Sequence, residues 1–336
     1  MSKKSKKENQ RKKRRLFLAI IMILFVGVVL TTSTYAWFTA NRTVTVESID
    51  VTVTTSEGLQ ISTDATNWKS VVTNTDITTA AWSGVNNQLP QGTNLLAPVS
   101  TIGNVDSNGY MEMYKGTIKS NSTTGNNILT AVKSTETNGN SGDFVVFDLF
   151  FQSTNEQQIY LTSNSSVVAK GTSTGIENSA RVALIKEGSV AYGSAAADAY
   201  AIKGNVAKFI WEPNYDLHTA AAIANAANNY GVTGLPATGD SKRTVKGVKA
   251  PIPESAAIPL NSTSSTYFGD VDPATTGSVS SGIPTNAYLS IFKVDAGITK
   301  VRIYMWIEGQ DYDCEDHASG GSLTYSLQFS IDDKAS

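Results

Sequence analysis

A single cysteine, Cys314, in 336 residues rules out any disulfide within the chain. A disulfide-free extracellular domain must be held by a hydrophobic core, and this chain is long enough to build one. Only two histidines are present, His218 and His317, and no H-E-x-x-H motif occurs. Zinc-protease chemistry therefore lacks its usual ligands and base. Neither a G-x-S-x-G elbow nor a P-loop appears, which removes the common signatures of serine hydrolases and nucleotide-binding enzymes. Cys314 lies within Asp311-Tyr312-Asp313-Cys314-Glu315-Asp316-His317. Neighbouring carboxylates raise a thiol pKa and suit it poorly to nucleophilic work. A glycosidase needs only two carboxylates, a condition that any acidic chain meets, so it carries no specificity. The expectation is a protein without enzymatic activity and without a cofactor. Charged residues make up only 17% of the chain, too few for long solvated helices laced by ion pairs.

Long apolar runs are also scarce, and the main one stands near the start. Nine Lys and Arg fill the first fifteen positions, and Leu16 to Leu30 is unbroken and apolar. A basic flank stays on the cytoplasmic side of a membrane. Fifteen helical residues reach about 22 Å, short of the roughly 30 Å hydrocarbon core and typical of a signal peptide. Thr34 and Ala36 supply the small residues before a cut, which predicts cleavage between Ala36 and Trp37. The competing reading is an uncleaved anchor from Leu16 to Phe38. The domain plan is thus a basic segment at 1–15, an apolar signal or anchor at 16–36 and an extracellular domain at 37–336. Of 27 basic and 29 acidic residues, the first 36 hold nine and one. The remainder carries 18 against 28, a net charge of −10, which argues against a nucleic-acid partner.

Beyond the signal, Thr, Ser and Asn total 98 residues. They favour strands with solvated faces, turns and polar loops over helix interiors. Val44 and Val46 alternate with polar residues, Glu47 and Ser48 break the count, and Ile49, Val51 and Val53 resume it, which predicts a bulge. Leu59 and Ile61 follow a turn at Gly58. Phe144 to Phe151 is almost wholly apolar and reads as a central strand buried on both faces. Further strands are expected at Ile159–Thr162, Arg181–Lys186, Ala207–Trp211, Val301–Ile307 and Leu323–Ile331, the last two being candidates to pair. Asp216 to Tyr230, rich in alanine, is the one helix expected beyond the signal. Polar insertions are read near 120–140 and, from the helix onward, across 216–282. The whole is an all-β sandwich with long loops.

Several motifs have a bland reading. Leu235-Pro236-Ala237-Thr238-Gly239 spells a sortase pentapeptide, but no apolar span and basic tail follow it, so chance occurrence is the reading. The acidic residues Asp311, Asp313, Glu315 and Asp316 have the chemistry of Ca²⁺ ligands. Their spacing departs from the calcium-loop pattern, and a solvated acidic loop with no metal is expected. Trp306, Trp68, Trp82 and Tyr304 have the makings of a sugar platform, against the plainer reading as half-buried strand residues.

Thr34-Tyr35-Ala36-Trp37-Phe38-Thr39, joined to the alternating strand from Thr43, resembles the TasA/camelysin family of exported Gram-positive surface proteins. Phe144–Asn155 and Leu323–Ile331 add weaker similarity, and coverage is about a quarter of the chain. The resemblance implies a jelly-roll-like β-sandwich and a signal cut by a dedicated signal peptidase. It also implies fibre assembly in a biofilm matrix, in which the mature N-terminal strand completes a neighbour's sheet. Camelysin-type members carry a metalloprotease label, for which this chain has no zinc motif. The expectation is a secreted or membrane-tethered structural protein that forms homo-oligomers or filaments. Its N-terminal helix holds it at the membrane before cleavage. The exchanged segment is read as Trp37–Val46, with Phe38, Thr43, Val44 and Val46 in an extended edge strand whose amides are unpaired. The alternative is an adhesin or carbohydrate-binding module.

Overall fold

The computed structural model describes Trp37 and residues 44–334, apart from loop residues 55–57, 80–86, 91–94, 107–108, 122–126, 138, 241–245, 272–275 and 278–285. The expected signal helix, Ala36, Phe38 and Thr43 lie outside the described residues, as does Trp82. Among the described residues no helix is long and apolar enough to cross a membrane.

Two six-stranded sheets face each other. The first holds β1 (Thr45–Val53), β3 (Val71–Val72), β8 (Gln157–Leu161), β9 (Ser166–Ala169), β16 (Leu289–Val294) and β18 (Ser322–Ser330). Their order is β16-β8-β18-β1-β3, with β9 also on β18. The second holds β2 (Leu59–Ser62), β7 (Val145–Ser153), β10 (Ala180–Val190), β11 (Ala207–Trp211), β15 (Thr276–Gly277) and β17 (Gly297–Ile307), in the order β15-β11-β10-β17-β7-β2. Alternate residues of both sheets meet in one core. Ile49, Val51, Leu323, Tyr325, Leu327 and Phe329 come from the first, and Phe147, Leu149, Val182, Leu184, Ile303 and Met305 from the second. This is the period-two pattern of half-buried strands, and it yields the expected sandwich.

The second sheet is covered on its other face too. A third sheet of β4 (Val99–Ser100), β5 (Met113–Ser120), β6 (Asn127–Ser134) and β13 (Ile258–Pro259) lies there. Val99, Met111 and Met113 pack on Phe144, Val146, Ala183, Ile185, Tyr304 and Trp306. Double coverage explains why every residue from Phe144 to Phe151 is buried, as its composition predicts. It also buries Trp306 and Tyr304, so neither is the half-covered strand residue or the sugar platform that the sequence suggests. Beyond the third sheet, β12 (Gly247–Val248) and β14 (Phe268–Gly269) pair and close a smaller cluster with Tyr114, Leu129 and Trp37.

The expected bulge is present: the β1–β18 register shifts between Val46 and Ser48. The Ala-rich helix is Ala220–Asn225, capped by Thr219, whose hydroxyl accepts from the Ala222 amide, and it continues to Tyr230. Two further six-residue helices stand at Asn74–Thr79 and Ala196–Ala201. Two expectations are corrected. β17 and β18 do not pair. β17 sits between β10 and β7, while β18 joins β1, β8 and β9. Alternation marks which face is apolar, not which strand lies alongside. The stretch read as an insertion at 120–140 carries β6, which pairs with β5 from Asn127 to Ser134.

Candidate interaction site

The first and last strands of the domain, β1 and β18, are neighbours and run parallel. Thr45 lies opposite Ser322 and Val46 opposite Leu323. Val44 is fully buried, its amide donating to the Leu96 carbonyl at 2.9 Å and its carbonyl accepting from the Leu96 amide at 2.8 Å. The Thr45 amide donates to the Gly321 carbonyl at 3.1 Å. The described part of the segment read as an unpaired edge is therefore paired at home, because β18 and the 95–97 stretch offer it complementary backbone. Its other side is more open. β3 covers only Val51 and Thr52. A cleft of about 370 Å³ lies beside Thr45, Val46 and Ile49, walled by Leu89, Pro90, Leu95 and Val145.

Trp37 is 1% exposed. Its indole lies between Gly116 of β5 and Gly309. A Cβ added at Gly116 would meet ring carbons at 2.7 Å, and one at Gly309 would meet them at 2.3 Å. Only glycine leaves room for the ring at either wall. Trp37 Nε1 donates to Gln310 Oε1 at 3.1 Å, and the Trp37 amide donates to the Cys314 carbonyl at 3.0 Å. An indole N–H buried in this way needs such an acceptor. Neither glycine stands out in the sequence, so the slot was not legible there.

The wall that receives Trp37 is the acidic loop 308–315. Of the acidic residues expected in a solvated loop, Asp311, Asp313 and Glu315 are enclosed, with Asp313, Cys314 and Glu315 at most 1% exposed, while Asp316 is half-buried and His317 is exposed as expected. Buried carboxylates need partners, and distant residues supply them. Arg181 of β10 pairs with Asp311 and, at 3.3 Å, with Glu212. Asp313 accepts from the Asn178 side chain and the Thr219 amide, each at 3.1 Å. His218 Nδ1 lies 2.6 Å from Asp313 Oδ2. Burial alone lowers the His218 imidazole, but Asp313, with Asp311 and Asp240, raises it overall. Burial pushes the Glu308 carboxyl up to about 7 against hydrogen bonds from Ser100 and Trp306. Burial, with Asp311, Glu308 and Glu315, raises the Cys314 thiol. No group of three or more His, Cys, Asp or Glu among the described residues is arranged to hold a metal. The sortase-like pentapeptide is folded in place: the His218 amide donates to the Ala237 carbonyl, and Leu235 packs beside Tyr312.

A second charged network lies under the third sheet. Arg302 of β17 pairs with Glu136 and, at 2.6 Å, with Asp148. Lys300 reaches Asp148 at 3.2 Å and Glu187 at 2.8 Å. Glu136 also accepts from the Tyr304 hydroxyl. Arg302, Asp148 and Lys300 are all at least 95% covered, so this network joins layers and faces no solvent.

No family model, no curated protein and no solved structure matches the chain.

Proposed function

We propose that this chain is a structural protein of a cell surface, secreted or membrane-tethered, whose copies join by exchanging the N-terminal strand. The carrying observation is the pairing of the first strand with the last. β1 lies parallel to β18, and on its other side the described backbone partners are Leu96 at Val44, β3 at Val51 and Thr52, and the Ser70 carbonyl, which accepts from the Val53 amide at 2.8 Å. The residues up to Val46 can leave their own sheet and make the same contacts in a second copy. The bulge between Val46 and Ser48 divides the part given from the part kept. The basic and apolar start of the sequence supports export, and the acidic remainder supports a non-nucleic-acid partner. Electron microscopy of the exported material, with N-terminal sequencing of the same sample, tests the proposal. Fibres of subunits beginning at Trp37 are expected. Monodisperse monomers would overturn it.

A second reading, a carbohydrate-binding module, rests on Trp68, one of the four aromatics singled out in the sequence, together with Tyr192. Trp68 and the 65%-exposed Tyr192 flank a groove of about 390 Å³ lined also by Gln60, Lys69, Gln152 and Thr154. A ring face beside amides and hydroxyls suits a sugar. Binding to arrayed glycans that disappears in Trp68→Ala would favour this reading.

A further inference from the structure

Trp37 is the residue that the predicted cut makes the first of the mature chain, and three features of its setting suit a chain terminus better than a chain interior. The indole is enclosed between Gly116 and Gly309 and keyed by Gln310. Its φ is +64°, a left-handed conformation that bulky L-residues avoid because Cβ and the flanking backbone collide. That torsion is defined only while the Ala36 carbonyl carbon is attached. Cutting the bond abolishes the constraint and leaves the indole where it is. The nitrogen, meanwhile, points at an electronegative wall. It donates to the Cys314 carbonyl at 3.0 Å. The next residue, Glu315, is fully buried and takes no hydrogen bond at Oε1 among the described residues. Its Oε2 accepts from the His317 amide and faces His317 Nδ1.

We propose that the slot between Gly116 and Gly309 is a receptor for a free N-terminal tryptophan, its α-ammonium held by the Cys314 carbonyl and paired with the Glu315 carboxylate. The reading rests on export and cleavage at Ala36–Trp37. A signal peptidase adds one water across that bond. Ala36 keeps the carboxylate, and Trp37 keeps the amine, which takes up a proton. The uncut chain offers one N–H and no charge at this place, whereas the cut chain offers three N–H donors and a positive charge. Other titratable groups around the slot are the Cys314 thiol, which the Trp37 amide also faces and burial raises, Glu308 and Asp311 on the same loop, Arg181 on Asp311, and His317 on Glu315. Lys115, next to Gly116 on β5, is engaged with Asp143. The Glu315 Oε1, buried with no hydrogen-bond partner among the described residues and one residue from the Cys314 carbonyl, favours a cation at this nitrogen. The same receptor serves a second copy's terminus when strands exchange, so processing and assembly share one site.

The test uses two versions of the mature protein, one beginning at Trp37 and one at Ala36, each released from a cleavable fusion. Residues from Tyr35 to Ser336 form their own compact unit, so both contain the whole folded body. The version beginning at Trp37 is expected to melt about 3 °C or more above the other at pH 6.5. A paired ammonium has its pKa raised, so its contribution is complete below the ordinary α-amino value of about 8 and is lost as pH rises through the folded value. The gap should therefore shrink by pH 10, and Glu315→Gln should shrink it at pH 6.5. Equal melting, or a gap unchanged at pH 10, overturns the proposal. Sequencing that finds a different natural terminus would refute the cleavage reading while leaving the melting comparison intact.

Discussion

Arg302 shows how single residues hold this molecule together. Its guanidinium is 1% exposed and faces Asp148 and Glu136. Removing one partner of a buried ion pair strands the other charge in a poor solvent, at a cost of about 3–5 kcal/mol. Arg302→Ala is expected to lose that much stability in urea unfolding, while Lys293→Ala, at a pair more than half exposed on both sides, is expected to lose under about 1 kcal/mol. Glu308 makes a pH prediction. Its folded carboxyl is pushed up to about 7 by burial, from an ordinary 4.5. The folded state then holds a proton that the unfolded state releases. That contribution is complete below about 4.5 and is lost as pH rises through about 7. His218, raised by Asp313, acts in the same direction. Asp76 and Asp295, lowered by hydrogen bonds from Lys69 and Lys186, act oppositely, and their contribution is lost only as pH falls into the acid range. The melting temperature should be higher near pH 5 than at pH 8, and Glu308→Gln should flatten that slope. Gly309 gives a steric prediction. A methyl group there has no space beside the Trp37 ring. Gly309→Ala should expel the indole, red-shift the tryptophan emission and cost on the order of 3 kcal/mol.

At the scale of elements, the sequence spoke most clearly where one strand carries one simple pattern. The break at Glu47 and Ser48 is a bulge, the apolar run at Phe144 is a strand buried on both faces, and the alternation from Leu323 lines the core. What it concealed depends on partners far away in the chain. The acidic loop looked solvated because its neutralising groups, Arg181 and His218, stand about a hundred residues earlier. The same distance hid the Trp37 slot, whose two glycines come from β5 and from the loop after β17. β5 and β6 were lost in a polar stretch because their outer ends are exposed, with Val132 64% accessible. β1 joins both sides of this account. Its inner residues Val51 and Ile49 belong to the core. Val51→Ala should cost about 1–3 kcal/mol, whereas Glu47→Ala, at the bulge and exposed, should change stability by less than about 0.5 kcal/mol.

For the whole molecule, the consequence lies in how the layers are joined. The two larger sheets share one core, to which β1 gives Ile49, Val51 and Val53, and the third sheet closes the outer face. The N-terminal segment is attached at two places, the Trp37 slot and the β18 edge. On the proposed exchange, both are filled by the same segment of another copy. The most direct test places cysteines at Thr45 and Ser322, which are opposite each other in the parallel pair and half-buried, while the native Cys314 stays buried. Assembled material is oxidised and run on a denaturing gel without reductant. Exchange predicts a ladder of covalently linked chains that collapses to monomer on reduction. Cross-linked monomers alone would show that each strand stays in its own sheet, contradicting the account.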